Sequence, residues 1–440
     1  MAAGEWAPPP NELAVGLEFY ATRTPGGGGQ LKERAEDFRV TEISAYPMPD
    51  PAGPYTILRI ASRNWEQHEL AQRIASRLGL PPHAVEWAGT KDRRAVTERL
   101  FAYRGEPPAG LDLADVVLLD AYRARSGLVL GHHYGNTFEI RVPADGVAVS
   151  ELAARFETTR ASLREASGFP NLFGLQRFGE VRPVTHDVGR ELVRGDPAAA
   201  VDVYLTSLPD GLTAPGAAAR RSYAEHRDAA RALREFPPSF RFERQILDHL
   251  ARGQTPERAL RALSRELRTL FIHAYQSLLF NRWVSRRVAA GLSLTEPSPG
   301  DVLLRVARDG TVPGTTPIPV GSDNLTECTD LARRGRARLA GPLVGYSTAP
   351  LGGRPGELLA GILEDERVSA SDFGLPKTPE IASAGSYRPV VVPLPPMALR
   401  PAEPAQDDRG EGVWFRFSLP KGAYATVLLR EFLKAGAVPR

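Results

Sequence analysis

Two stretches of this 440-residue chain carry side chains of types and spacing suited to chemistry. The first is WAGTKDRRAVTERL, residues 87–100, with Asp92 at its centre. Lys91 precedes Asp92, Arg93 and Arg94 follow it, and Gly89 and Thr90 permit a close approach. Nearby positive charge favours the charged form of a carboxyl group, so Asp92 is expected to be ionised. An ionised carboxylate among cations is a candidate nucleophile or base toward a polyanionic substrate. The plain alternative is a solvated, salt-bridged turn. The second stretch is FPNLFGLQRFG, residues 169–179. It interleaves aromatic rings with amide and guanidinium groups, which suits an extruded base and its flanking phosphates. A buried apolar turn would account for the same rings.

The elements around these stretches set their geometry. An apolar run at 84–88 leads into Asp92 and an alternating run at 97–103 leads out, so Asp92 is expected on a connection between strands. Alternation also predicts strands at 38–43 and 55–60. Asn64 is the predicted N-cap of a helix reaching about Leu78, with Gln67 as reciprocal partner and Leu70, Ile74 and Leu78 on one face. Gly79 and Pro81 end it. The glycines at 26–29 follow no phosphate-binding pattern and read as a flexible loop. A helix is expected at 149–166. Helical segments then dominate: 186–194, 197–206, 217–235, 240–251, 255–263 and 271–287. Residues 395–412 read as a linker or loop. A strand at 414–419 and a helix carrying Tyr424, Val427, Leu428 and Phe432 close the sequence.

Composition bounds the class. Hydrophobic residues make up 42% and charged residues 24% of the chain, as in globular proteins, and the length predicts two or three domains. No run has the roughly 18 apolar residues of a membrane span. No signal peptide is visible, and Cys328 is the sole cysteine, so a cytoplasmic setting is expected. The net charge is only +3, yet nearly all the basic residues are arginine, which suits phosphate forks and base stacking. A GC-rich genome would produce the same bias. Lysine occurs only at 32, 91, 377, 421 and 434. His132 and His133 lack a third ligand at metal spacing, so no metal site is expected, and no dinucleotide motif occurs.

Several motifs share one resemblance. G-x-K-D-x-x-A-x-T at 89–97 resembles the signature of the TruD family of tRNA pseudouridine synthases. Residues 32–42 resemble its K-x-x-P-E-D-F-x-V-x-E segment, with Ala35 in place of Pro. Asn171, Phe173, Gly174, Gln176, Arg177, Phe178 and Gly179 match its N-x-F-G-x-Q-R-F-G pattern, and residues 275–287 resemble its YQS-x-LFN-x-x-x-S-x-R helix. Residues 419–431 look like its L-P-x-G-x-YAT-x-LLRE motif. The family's usual Gln after the first motif is Arg99 here. The 341–345 and 385–389 stretches also look family-like and read as structural.

The resemblance implies an α+β protein. A discontinuous pseudouridine-synthase catalytic domain with a mixed antiparallel sheet, residues 1–177 and 394–440, would hold an inserted helix-rich α/β TRUD domain, residues 178–393. It implies an isomerase that converts uridine to pseudouridine in tRNA, favouring position 13. Asp92 would be catalytic, Lys32 would hold Asp92 or a substrate phosphate, and Phe173 would stack on the uracil. Asn171, Gln176 and Arg177 would complete the substrate site. Arg93, with Arg282, Arg286 and Arg287 on the long helix, would contact RNA. No redox step or energy input is involved, so no organic cofactor is implied; a monomer is expected. The other class to weigh is a non-catalytic RNA-binding protein or tRNA chaperone on the same fold.

Overall fold

The computed structural model describes residues 6–44, 47–89, 91, 93–179, 182–208, 216–308, 310–312, 316–402, 410–436 and 438–439. The chain divides into two compact units, one of residues 24–168 and 393–436, the other of the described residues within 1–23, 169–392 and 437–440. The architecture is α+β, with an eight-stranded mixed sheet and a helical region.

The sheet belongs to the first unit. Its order is Met397–Pro401, Gly412–Pro420, Gly135–Pro143, Phe38–Ile43, Val96–Arg104, Tyr55–Arg63 and Val116–Ala124, with Glu86–Trp87 also paired to Val96–Arg104. All neighbours are antiparallel except Phe38–Ile43 and Val96–Arg104, which run parallel. The two-residue period explains the faces: Phe38 and Val40 are buried while Arg39 and Thr41 are exposed. The helix Gln67–Arg77 lays Leu70, Ala71, Ile74 and Ala75 onto Leu58, Ile60, Phe101 and Tyr103. Each of the leucine, isoleucine and phenylalanine side chains among them contributes about 1.5–3 kcal/mol on burial. Val149–Glu165 and Ala425–Leu433 are closed by Phe156, whose ring lies 5.0 Å from Phe415 and 5.9 Å from Phe432.

The second unit is built around the 25-residue helix Arg265–Ala289. Its antiparallel sheet has the order Ile318–Pro319, Val302–Arg305, Ala337–Leu343 and Ser386–Pro389. Gly341 lets this sheet meet the helix closely, since a Cβ there would sit 2.7 Å from the Trp283 ring. Phe169–Pro170 pairs with Val391–Val392. Among the described residues, no helix is long and apolar enough to cross a membrane.

Several local expectations change. The helix cap is Glu66, whose carboxylate accepts the Glu69 N–H, and not Asn64, which takes a left-handed φ of 59°. Asn tolerates that conformation better than most residues, which makes it a turn residue here. Residues 217–235 form two helices, Ala217–His226 and Ala229–Glu235, because Arg227 turns left-handed and Asp228 caps the second. The glycines at 26–29 are not a loose loop. Gly27 and Gly28 donate to the carbonyls of Phe432 and Leu433, and a Cβ on Gly27 would fall 2.5 Å from Phe156. The segment read as a linker contains the edge strand Met397–Pro401.

Candidate active site

Asp92 and Thr90 lie outside the described residues; their neighbours define the surroundings. Lys91, immediately before Asp92, makes an ion pair with Glu42 of the Phe38–Ile43 strand, Nζ to Oε2 2.5 Å, and both side chains are only 2% exposed. The expected trio of cations is therefore altered, because the Lys91 charge is balanced by Glu42. Arg94 turns its guanidinium to the Glu33 carbonyl at 2.5 Å, and Arg93 is exposed. Gly89 supplies the room this packing needs: a Cβ would stand 2.9 Å from His133 Cε1 and 3.0 Å from Lys91 Nζ. Burial first, and then the Lys91 charge, push the His133 imidazole below its ordinary pKa, so it is neutral at pH 7.

Lys32 is not an ordinary surface lysine. It is 7% exposed, adopts a left-handed φ of 62°, and places Nζ 4.5 Å from the centroid of Phe38. A cation over a ring face is stabilised by the ring quadrupole. Arg99 is also internal, at 1% exposure. Its guanidinium donates to Thr97 Oγ1 at 2.6 Å, Ser62 Oγ at 3.2 Å and the Gln67 amide oxygen. Burial pushes its pKa down to about 10, which leaves it protonated at neutral pH. Arg99 thus joins the loop-bearing strand to the helix and supports the fold.

The second stretch belongs to the second unit. Asn171 follows the Phe169–Pro170 strand and is 7% exposed. Its Nδ2 donates to the Pro389 carbonyl at 2.9 Å and its Oδ1 accepts from Arg388 at 2.5 Å. The Phe173 ring, 6% exposed, meets Phe280 edge-on at 5.6 Å. Asn281, fully buried on the long helix, accepts the Phe173 N–H at 2.8 Å and donates to the Phe173 carbonyl at 2.9 Å. Gln176 and Arg177 occupy the following 3-10 turn, with Arg177 Nε 3.2 Å from Ser277 Oγ. Asn281 lies in the family-like 275–287 helix and Arg388 in the 385–389 stretch read as structural; what the sequence did not give is their grip on Phe173 and Asn171.

The three long-helix arginines do not form one exposed edge. Arg287 is fully buried, with its two terminal nitrogens on the Asp301 carboxylate at 2.6 and 2.8 Å. A guanidinium held this way supports the core and cannot face phosphate. Arg282 pairs with Glu366 and Arg286 with Asp365. Among the described residues no group of three His, Cys, Asp or Glu side chains could hold a metal ion.

A family model described as "tRNA pseudouridine synthase D (TruD)" matches residues 14–432. The chain belongs to the TruD family. TruD relatives span it nearly end to end. A Halobacterium salinarum protein described as "Probable tRNA pseudouridine synthase D" is 39% identical over 97% of this chain and 98% of its own length. A Methanococcoides burtonii protein of the same description is 35% identical, covering 96% and 97%. The crystal structure of a TruD protein from Methanosarcina mazei superposes with a TM-score of 0.80 at 31% identity, covering 97% of this chain and 98% of that one. As a TruD protein, this chain is a tRNA pseudouridine synthase D, of the isomerase class that converts uridine to pseudouridine in tRNA.

Phe173→Ala is expected to cost about 3–5 kcal/mol of stability, as for a buried ring. If Phe173 carries the extruded base, turnover of the folded fraction should also fall, since a stacked base gains about 1–3 kcal/mol from an aromatic face. Phe173→Tyr keeps the ring and should cost far less. A melting curve paired with specific activity separates the effects; normal activity in the folded fraction would make Phe173 purely structural.

Proposed function

We propose that this enzyme acts on uridine 13 of tRNA with Asp92 as its catalytic residue. The target base is stacked inside folded RNA and must be extruded before reaction. The N1–C1′ bond then breaks, with Asp92 either attacking C1′ or removing a proton from C2′. The freed uracil rotates in place and rejoins C1′ through C5, and the C5 proton leaves. Water at C1′ would give hydrolysis, so the site must be dry. Phe173 is suited to covering the base, and Lys32 to steadying Asp92 or the substrate phosphate. Gln176, Arg177 and the exposed Arg93 are the proposed polar contacts to RNA, with Arg282 and Arg286 at the long helix. Asn171 is a further proposed substrate contact; its amide, bonded to Pro389 and Arg388, keeps a second N–H and a second lone pair for that role.

In this reading residues 1–177 and 394–440 form the catalytic domain, and the insert 178–393 clamps the RNA as a monomer. The observation that carries the proposal is the Gly89, Lys91, Asp92, Ala95, Thr97 pattern within a family match of nearly the full chain. The test is to incubate purified protein with unmodified tRNA transcripts and map pseudouridine at single-nucleotide resolution. A single product at position 13 is expected. Product at another uridine would reject the position, and none in any tRNA would favour a tRNA chaperone.

A further inference from the structure

The geometry assigns Arg388 as the positioning residue that holds Asn171 and Phe173 in their working arrangement. This rests on the proposed role of Phe173. Arg388 lies on the Ser386–Pro389 strand, which pairs with Ala337–Leu343. Its Nε donates to the Asn171 carbonyl at 2.9 Å and its Nη2 to Asn171 Oδ1 at 2.5 Å. The same guanidinium lies over the Phe173 ring, with Cζ 4.1 Å from the centroid. One planar group thus fixes the amide of one motif residue and covers a face of the ring of the other. The Asn171 side chain completes the arrangement by donating to Pro389, the next residue along the strand from Arg388.

The division of labour with Asn281 sharpens the assignment. Asn281 grips only the main chain of Phe173, through its N–H and its carbonyl. It therefore fixes where the residue is, whereas Arg388, the guanidinium nearest the ring, fixes how it is turned together with Phe280 edge-on at 5.6 Å and Arg177 at 5.7 Å. A stacking platform depends on that angle, because only a ring parallel to the base covers it. Lysine cannot substitute: an ammonium is a point charge, with neither the fork for the two Asn171 oxygens nor the plane for the ring. A misplacement of about 1 Å in a site costs on the order of a hundredfold in rate.

The experiment compares Arg388→Ala, Arg388→Lys and the unaltered full-length enzyme on a tRNA transcript. Arg388→Ala should lower kcat about a hundredfold with KM for tRNA little changed, and low concentrations of free guanidinium should restore part of the loss. Arg388→Lys should also lose kcat, without rescue. Crystal structures of the two variants should show the Asn171 amide and Phe173 ring reoriented over an unmoved Phe173 backbone. Unchanged kcat in Arg388→Ala, or a loss that only tracks unfolding and ignores guanidinium, would overturn the assignment. So would unmoved Asn171 and Phe173 side chains, an outcome readable even without turnover. Absence of pseudouridine with the unaltered enzyme would instead reject the functional reading.

Discussion

Asp92→Asn is expected to abolish pseudouridine formation while leaving tRNA binding largely intact. The substitution preserves size and removes only the negative charge. An amide can neither attack C1′ nor take a proton from C2′ as a carboxylate does, so either form of the proposed chemistry stops. Binding rests mainly on cations meeting phosphates, to which Asp92 contributes nothing attractive. A single-turnover assay with excess enzyme measures the first property, since C5 loses its proton in the product and tritium placed there is released. Filter binding measures the second. Near-normal tritium release from the variant would remove Asp92 from the mechanism.

Glu42→Ala should be strongly damaging although it leaves Asp92 itself in place. Lys91 and Glu42 are both 2% exposed and 2.5 Å apart. Removing one partner of a buried pair strands the other charge in a poorly solvated site, at a cost of about 3–5 kcal/mol. The stranded ammonium belongs to the residue next to Asp92, so activity should fall even in the folded fraction. Denaturant unfolding should show the midpoint dropping. The double variant Glu42→Leu with Lys91→Met should recover much of the stability, because apolar replacements of buried pairs are often neutral or better. A midpoint unchanged in Glu42→Ala would show that water reaches the pair.

Much of this was legible in the sequence because it depends on short periods. The 38–43 alternation places Phe38, Val40 and Glu42 on one side, so a carboxylate on a buried face was foreseeable. Its partner was not, because Lys91 comes from 49 residues away. The glycines at 26–29 show the opposite failure. Composition says only that they bend easily; what stops them is Phe156 and the end of the helix Ala425–Leu433. Likewise Asn64 is the residue type that suits a cap, and only its left-handed backbone, invisible in the sequence, passes the role to Glu66. Arg287 looked available for phosphate because it adjoins Arg286 in the sequence. Its burial is set by Asp301, beyond the end of the helix.

The place of the Gly412–Pro420 strand governs how the chain folds as it is made. It runs inside the sheet, in register with all of Gly135–Pro143. Roughly 270 residues separate the two strands, on the order of 15–60 s of synthesis at usual rates. Throughout that interval the far edge of Gly135–Pro143 has no strand to pair with, although Phe38–Ile43 already covers its other side. An unpaired edge bearing Phe138, Ile140 and Val142 is a template for strand addition from another chain. A product truncated before residue 412 is therefore primed to aggregate, and a nascent chain needs that edge shielded until Gly412–Pro420 arrives.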